Sequence, residues 1–320
     1  MWFPLMLFVN CANNSAKFLS QPARSDDFTV SILREDGVLV PFAVYRNRAW
    51  STPWPKPDGY GENDDNTLAE LPKPWFEGDR GPTRTWYYWP SDDVPTVLKT
   101  SRITKVDNHC QSNWGLISDF PGKAVKAHEV HRNIGVALDV EKQAPNLLEL
   151  TDSSIEWVRA GSFIQPAFDK AEDLKVSETD ALHHFAPYPA RKVRRQVKAF
   201  LIKLYRSRSA INGRYIFHFE ARKEYKKELR SPDSSCSNIS LLKGWMLLNE
   251  RGDLMLLDSD MVLTDCDMKA EVTKPLGILT VGDQIFIITE DHGYEDESYV
   301  ILELRVSGIS RVIKTWGGGC

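Results

Sequence analysis

The sequence predicts an all-β protein, a propeller-like arrangement or a sandwich of short antiparallel strands, and three observations carry that expectation. β-rich runs flank the dipeptides Asp36-Gly37 and Asn212-Gly213, which supply the positive φ that a tight hairpin turn requires. Past Cys236, short apolar runs separated by Gly/Asp turns recur at intervals of about 8–12 residues, the spacing of sandwiches, barrels and propeller blades. No strand, Gly-rich loop and helix follow one another in the way that Rossmann and P-loop nucleotide sites require. The 320 residues, 42% hydrophobic and 26% charged, describe a globular chain of one large domain or two smaller ones. Its net charge of −4 exerts no global pull on nucleic acid or anionic lipid.

Taken in order, residues 1–18 open with the apolar run Met1 to Ala12, which reads as a truncated secretory or lipoprotein signal. No Lys or Arg precedes the run, and Asn10 stands where a lipobox carries Gly or Ala before Cys11. A mature N-terminal strand is the competing reading. The run is far shorter than the roughly 20 apolar residues of a spanning helix, so no transmembrane span is expected.

Residues 19–189 form a Trp/Pro-rich β part. Phe28 to Leu33 and Val38 to Tyr45 make its first hairpin. Five of the ten tryptophans lie between Trp50 and Trp89, among seven prolines up to Pro90. Proline removes ladder donors, so loops and short edge strands are expected there. Val94 to Val106, Trp114 to Phe120 and Asn133 to Leu138 resume strand character. One or two helical turns are expected at Phe168 to Leu174, and His183 to Pro189 reads as a linker.

Residues 190–320 form a β-rich C-terminal part stapled by disulfides. Ala199 to Tyr205 and Tyr215 to Ala221 form its clearest hairpin. Phe200, Ile202 and Leu204 are expected on one face of the first strand, and Tyr215, Phe217, Phe219 and Ala221 on one face of the second. An amphipathic helix through Val193, Val197, Leu201 and Leu204 has acceptable spacing, but the turn signal and aromatic content favour strands. Trp245 to Leu248, Leu254 to Leu257, Met261 to Thr264, Gly277 to Thr280, Ile285 to Thr289, Tyr299 to Leu304 and Ser310 to Thr315 complete the series.

Catalytic motifs are missing. His128-Glu129-Val130-His131 fails the zinc-protease spacing because Arg132 stands where the second histidine belongs. His183 and His184 are adjacent, which on a strand sends them to opposite faces. No Gly-x-Ser-x-Gly elbow exists. Among the acidic clusters, Asp291, Glu295, Asp296 and Glu297 surround His292-Gly293-Tyr294. That set offers oxygen ligands for Ca²⁺, the one cofactor the sequence suggests, although it lacks the EF-hand alternation; a solvated turn guarding a strand edge is the plainer reading.

The strongest ligand-binding candidate is the aromatic stretch Trp50, Trp54, Trp75, Trp86, Tyr87 and Trp89. Flat rings with polar edges stack on sugars, and Asp58, Asn63, Asp64, Asp65, Asp92 and Asp93 stand nearby to bond hydroxyls. Trp–Pro packing that replaces missing ladder bonds is the competing explanation. Four cysteines besides Cys11 allow three pairings, of which Cys236 with Cys266 and Cys110 with Cys320 are favoured. Charge is polarised: residues 191–227 carry 13 Lys/Arg against two acidic residues, and residues 249–303 carry 14 Asp/Glu against three basic ones. The expectation is that these two regions neutralise each other; an exposed basic strip for anionic polymers is the alternative, and nucleic acid is not an expected partner.

The stretches Ile32 to Ala43 and Thr264-Asp265-Cys266-Asp267 through Gly317-Gly318-Gly319-Cys320 resemble exported bacterial proteins of unassigned function. The resemblance implies export and β structure and carries no activity. The expectation is therefore an exported protein (periplasmic, extracellular or lipid-anchored) with a binding or scaffold role at the envelope. Its partner would be a cell-wall glycan or an envelope protein. The alternative is a glycan-active hydrolase using carboxylates. A hydrolase calls for a deep cleft gathering Asp or Glu beside Trp, and a binding module for a shallow aromatic platform.

Overall fold

The computed structural model describes residues 27–52, 85–90, 94–108, 111–123, 131–142, 144–145, 147–182, 188–208, 210–211, 213–225, 238–249, 251–265, 272–293, 296–305 and 308–319. The fold is all-β. Strands β1 (Phe28–Arg34), β2 (Val38–Arg46), β4 (Thr85–Tyr88), β5 (Thr96–Asn108), β6 (Gln111–Ser118) and β7 (Asn133–Leu138) close into a six-stranded antiparallel barrel, with β3 (Ala49–Ser51) paired outside β2. A second sheet has the order β12-β11-β10-β9-β8, formed by Leu254–Asp265, Asn238–Leu248, Tyr215–Tyr225, Phe200–Ser207 and Leu147–Glu149. The third is the meander β13 (Val272–Val281), β14 (Gln284–His292), β15 (Asp296–Arg305) and β16 (Gly308–Gly319). Helix α1 (Ile155–Leu182) and the single turn α2 (Arg191–Arg194) are the helices among the described residues.

The β1–β2 turn forms where Asp36-Gly37 predicts it: Gly37 has φ 84°, and its amide donates to the Arg34 carbonyl at 3.0 Å. Alternation then assigns the strand faces. Leu33, Leu39, Trp86, Leu98, Leu116 and Ala137, one from each barrel strand, share one buried cluster. A cluster fed by every strand of a closed barrel is its interior. Gly135 belongs to that packing, since a Cβ there would stand 2.8 Å from the Tyr88 ring.

The outward residues Val30, Ile32, Val40 and Phe42 pack on Leu279, Phe286, Ile288 and Ile301 of the meander. On the other face of the meander, Ile278 and Ile287 meet Ile216, Trp245 and Leu247 of the five-stranded sheet. That sheet in turn carries α1, with Ala160, Ile164 and Phe168 against Leu204, Phe217, Phe219 and Leu242. The layers therefore run barrel, meander, five-stranded sheet, helix. The expected all-β class holds; the meander and the five-stranded sheet pack face to face, and the closed barrel is neither of the two arrangements expected.

Two local expectations are corrected. The single short helical stretch at Phe168 to Leu174 is the middle of a 28-residue helix. Its buried positions Ala160, Ile164, Phe168, Glu172 and Val176 recur every four residues, the helical stripe of a core-facing side. Glu172 interrupts that stripe in hydropathy but not in burial. The expected face of β9 is also split. Leu204 faces Phe219 and Leu201 faces Ala221, so Ile202 falls at a bulge without a ladder partner. Phe200 and Ile202 are exposed, and Leu201 and Leu204 take the core. The opposing face of β10 forms as expected, with Phe217, Phe219 and Ala221 buried against α1 and Tyr215 packed at their edge.

Arg191, Arg194, Arg195, Arg206 and Lys223 of the basic segment find acidic partners on α1 rather than on the acidic C-terminal strands. Asp173 on α1 pairs with Arg191 and Arg194, Asp169 with Arg195, and Glu156 with Arg206. Lys223, fully buried, reaches Asp169 Oδ1 at 2.7 Å and Glu172 Oε2 at 3.0 Å. The acidic partners thus come from the helix that the hydropathy pattern concealed.

Candidate functional site

A concavity lies between the five-stranded sheet and the meander. It has a volume of about 340 Å³, within the range of small-molecule sites. Strand register builds one wall. His218 pairs with Trp245, and Trp245 with Asp258, across β10, β11 and β12. The next row on the same face is Glu220, Lys243 and Asp260, extended by Lys203 on β9. Residues in register on alternate positions share a face, so an aromatic row and a charge-alternating row run side by side.

The β11–β12 approach is tight at the cleft. A Cβ on Gly244 would fall 2.3 Å from the Asp258 carbonyl oxygen, so glycine is the residue that allows it. A ladder bulge follows between Trp245 and Met246. The meander supplies the opposite wall: Thr273 and Asp291 as register partners, with Thr289 and, from β16, Arg311. Lys243 Nζ spans the gap and donates to Thr273 Oγ1 at 3.0 Å.

Burial tunes the groups on the first wall. His218 is 1% exposed, and burial first, then Lys243 and Lys203, pull its pKa down to about 3. The imidazole is therefore neutral at neutral pH. Its Nδ1 is buried without a hydrogen-bond partner among the described residues, an unused polar atom at the cleft. Glu220 is pushed above its ordinary range by burial, against the pull of Lys203 and Lys243. Burial, reinforced by Glu149 and Glu220, raises Tyr205 to about 12. Trp245 is almost fully buried and meets His218 edge-on at 4.8 Å between ring centroids; it forms a wall and presents no open stacking face. Carboxylates, an ammonium, a guanidinium, hydroxyls and a neutral imidazole thus converge on a space that suits a hydroxyl-rich ligand.

The residues singled out from sequence go elsewhere. Trp86 fills the barrel and Trp89 is buried at the barrel–meander boundary. Trp50 packs edge-on against Tyr45 and Phe286 with centroids at 5.0 and 5.2 Å, and Tyr87 is half-buried beside the same cluster. These rings close a core, so they do not form an aromatic platform. Trp54 and Trp75, with Asp58, Asn63, Asp64, Asp65, Asp92 and Asp93, lie outside the described residues.

The proposed Ca²⁺ set does not converge on one loop. Asp291 faces the cleft, whereas Glu297 pairs with His292 in the ladder and lies with Glu290 on the opposite, barrel-facing side. Strand alternation separates them. Asp296 sits at the β14–β15 turn, its carbonyl accepting from the Gly293 amide at 2.8 Å, and Glu295 lies outside the described residues. Cys110, Cys236, Cys266 and Cys320 lie outside them too. Their described neighbours do meet: Asn238 is the ladder partner of Asp265, and the Asn113 side chain donates to the Gly317 carbonyl.

No protein-family model matches the chain, and no curated protein matches it either. Among the described residues, no helix is long and apolar enough to cross a membrane.

Sequence reasoning passed over the cleft because its residues span positions 218 to 311. In the sequence Asp258 and Asp260 are simply acids that precede the apolar run Met261 to Leu263. His218 and Lys243 carried no local signal.

Proposed function

We propose that this chain is a binding protein whose ligand is a small saccharide, held in the cleft between the five-stranded sheet and the meander. The observation that carries the reading is the meeting of Asp258, Asp260 and Asp291 with Lys243, Arg311 and the buried, unsatisfied Nδ1 of His218 around one space. Carboxylates accept from paired sugar hydroxyls, and the ammonium and guanidinium donate to ring and hydroxyl oxygens. A second reading, a carboxylate-based glycan hydrolase, is favoured by the three aspartates that line the same space, since that chemistry needs a pair of carboxyls.

Isothermal titration with glucose, galactose, N-acetylglucosamine and their β-1,4-linked disaccharides tests the proposal. At least one is expected to bind, with Asp291→Asn and Arg311→Ala each weakening affinity about 10–100-fold, the worth of a hydrogen bond to a charged group. Silence across the panel, or affinity indifferent to both variants, removes the saccharide. Release of reducing ends from the disaccharides, abolished in Asp258→Asn, moves the assignment to the hydrolase.

Placement at the cell envelope, by export, belongs to the same proposal. It is supported by the meeting of Asn238 with Asp265 and of Asn113 with Gly317, which brings the flanks of the favoured cysteine pairs together. Protein isolated without reductant is expected to take up alkylating agent at these four cysteines only after reduction, read by intact mass. Full alkylation before reduction overturns the disulfides.

A further inference from the structure

The opposite face of the meander holds a second polar group that the cleft does not use. Glu290 and His292 stand two residues apart on the barrel-facing side of β14, and Glu297 is the ladder partner of His292 on β15. One ligand atom from each of the three lies within 4.8 Å of the others. Both carboxylates are buried, Glu290 at 2% and Glu297 at 4% exposure, whereas the His292 ring is more than a third open to solvent.

Two buried carboxylates side by side draw cations, because an unpaired buried charge is costly, and His292 stands beside both, 2.6 Å from Glu290 and 3.9 Å from Glu297. Asn133, at the start of β7, holds the pair in place. Its side-chain amide donates to Glu290 Oε1 and to Glu297 Oε1, each at 2.9 Å. Glu290 Oε2 is buried and accepts no hydrogen bond among the described residues, and the Lys274 ammonium approaches it only to 3.5 Å. That ammonium also donates to the Asn133 carbonyl at 2.9 Å. His292 Nε2 lies 2.6 Å from Glu290 Oε1, on the solvent side, where an ion would enter.

We propose that Glu290, His292 and Glu297 form a site for a divalent transition-metal ion. Donor chemistry selects the class: one imidazole nitrogen with two carboxylates suits Zn²⁺ or Mn²⁺, whereas Ca²⁺ favours an all-oxygen cage of six to eight ligands. Small side-chain shifts bring donors at this separation to the roughly 2.0–2.2 Å bonds of such ions. The two carboxylates neutralise the dication, and Asn133 orients both, as outer hydrogen bonds do for metal-bound carboxylates. The exposed side of the imidazole leaves a coordination position facing solvent.

The test uses the full chain stripped with chelator and titrated with Zn²⁺, Mn²⁺ and Ca²⁺ separately by calorimetry, with thermal melting alongside. One equivalent of Zn²⁺ or Mn²⁺ is expected to bind and raise the melting temperature, with Ca²⁺ inert. His292→Ala, at a partly exposed position that leaves the fold intact, is expected to abolish that binding. Glu297→Gln, isosteric and neutral, does the same. Asn133→Ala is expected to weaken it about 10–100-fold, and Asp291→Asn, on the other face, to leave it unchanged. No binding of Zn²⁺ or Mn²⁺ to the stripped wild type overturns the site. So does binding that survives His292→Ala, or Ca²⁺ binding that responds to Asp291→Asn.

Discussion

Replacing Lys223 by alanine is expected to destabilise the protein by about 3–5 kcal/mol, the cost of breaking a buried ion pair from one side. Lys223 Nζ donates to Asp169 Oδ1 at 2.7 Å, to Glu172 Oε2 at 3.0 Å and to the Arg194 carbonyl at 3.2 Å. Its ammonium also lies 5.0 Å from the centroid of the Phe168 ring. Tyr225 and Ser240 donate to the other oxygen of Glu172, each at 2.5 Å. The network ties α1 to β10 and β11, and Glu172 is 1% exposed. Without Lys223 its carboxylate keeps the two hydroxyl donors but, among the described residues, only one cation, Arg194, whose Nε stands 3.8 Å away.

Urea denaturation at neutral pH reads the effect. The double variant Lys223→Met with Glu172→Gln is expected to recover much of the loss, since it removes both charges and leaves no uncompensated one. A loss below about 1 kcal/mol in Lys223→Ala, the value of an exposed pair, would mean that water reaches the network.

The second large effect is on acid stability. His218 titrates at about 3 in the fold and near 6.5 in an unfolded chain. Because the folded value is depressed, the unfolded chain takes up a proton that the folded one refuses as pH falls below 6.5. Stability is therefore lost progressively between pH 6.5 and 3, by about 2 kcal/mol at pH 5. The physical cause is burial between the sheets, with Lys243 and Lys203 adding repulsion. Glu220, on the same face and raised by burial, works in the opposite sense: its contribution is present at low pH and lost as pH rises.

Comparing wild type with His218→Gln isolates the imidazole. Between pH 7 and pH 5 the wild type is expected to lose about 2 kcal/mol more than the variant. Equal losses would show that the folded state accepts the proton.

Much of the strand order was legible locally, because alternation, turn chemistry and proline placement act over a few residues. The hairpins around Gly37 and Gly213 and the C-terminal meander formed where those signals stood. Helix α1 was concealed for a definite reason. Its buried stripe contains Glu172, which belongs to the core only because Lys223, 51 residues away, meets it there. The tryptophans show the converse. Five within 40 residues of sequence announce a large aromatic area without saying which way it faces. Barrel closure turned Trp86 inward, and the meander covered Trp89 and Trp50.

The candidate sites were the least legible part. Asp291 and His292 are neighbours in sequence, yet one faces the cleft and the other the carboxylate pair. A single acidic turn in the sequence is thus divided in space between the two faces of one strand.

By itself the sequence determined the all-β class, the turns and the polarised charge, since periodicity and the demand for positive φ are properties of neighbouring residues. Tertiary structure decided which side chains meet: the row His218–Trp245–Asp258, the Lys223–Glu172 pair and the Glu290–His292–Glu297 group. Ladder register and sheet stacking place these residues, and both are set by burying apolar surface between segments far apart in the chain.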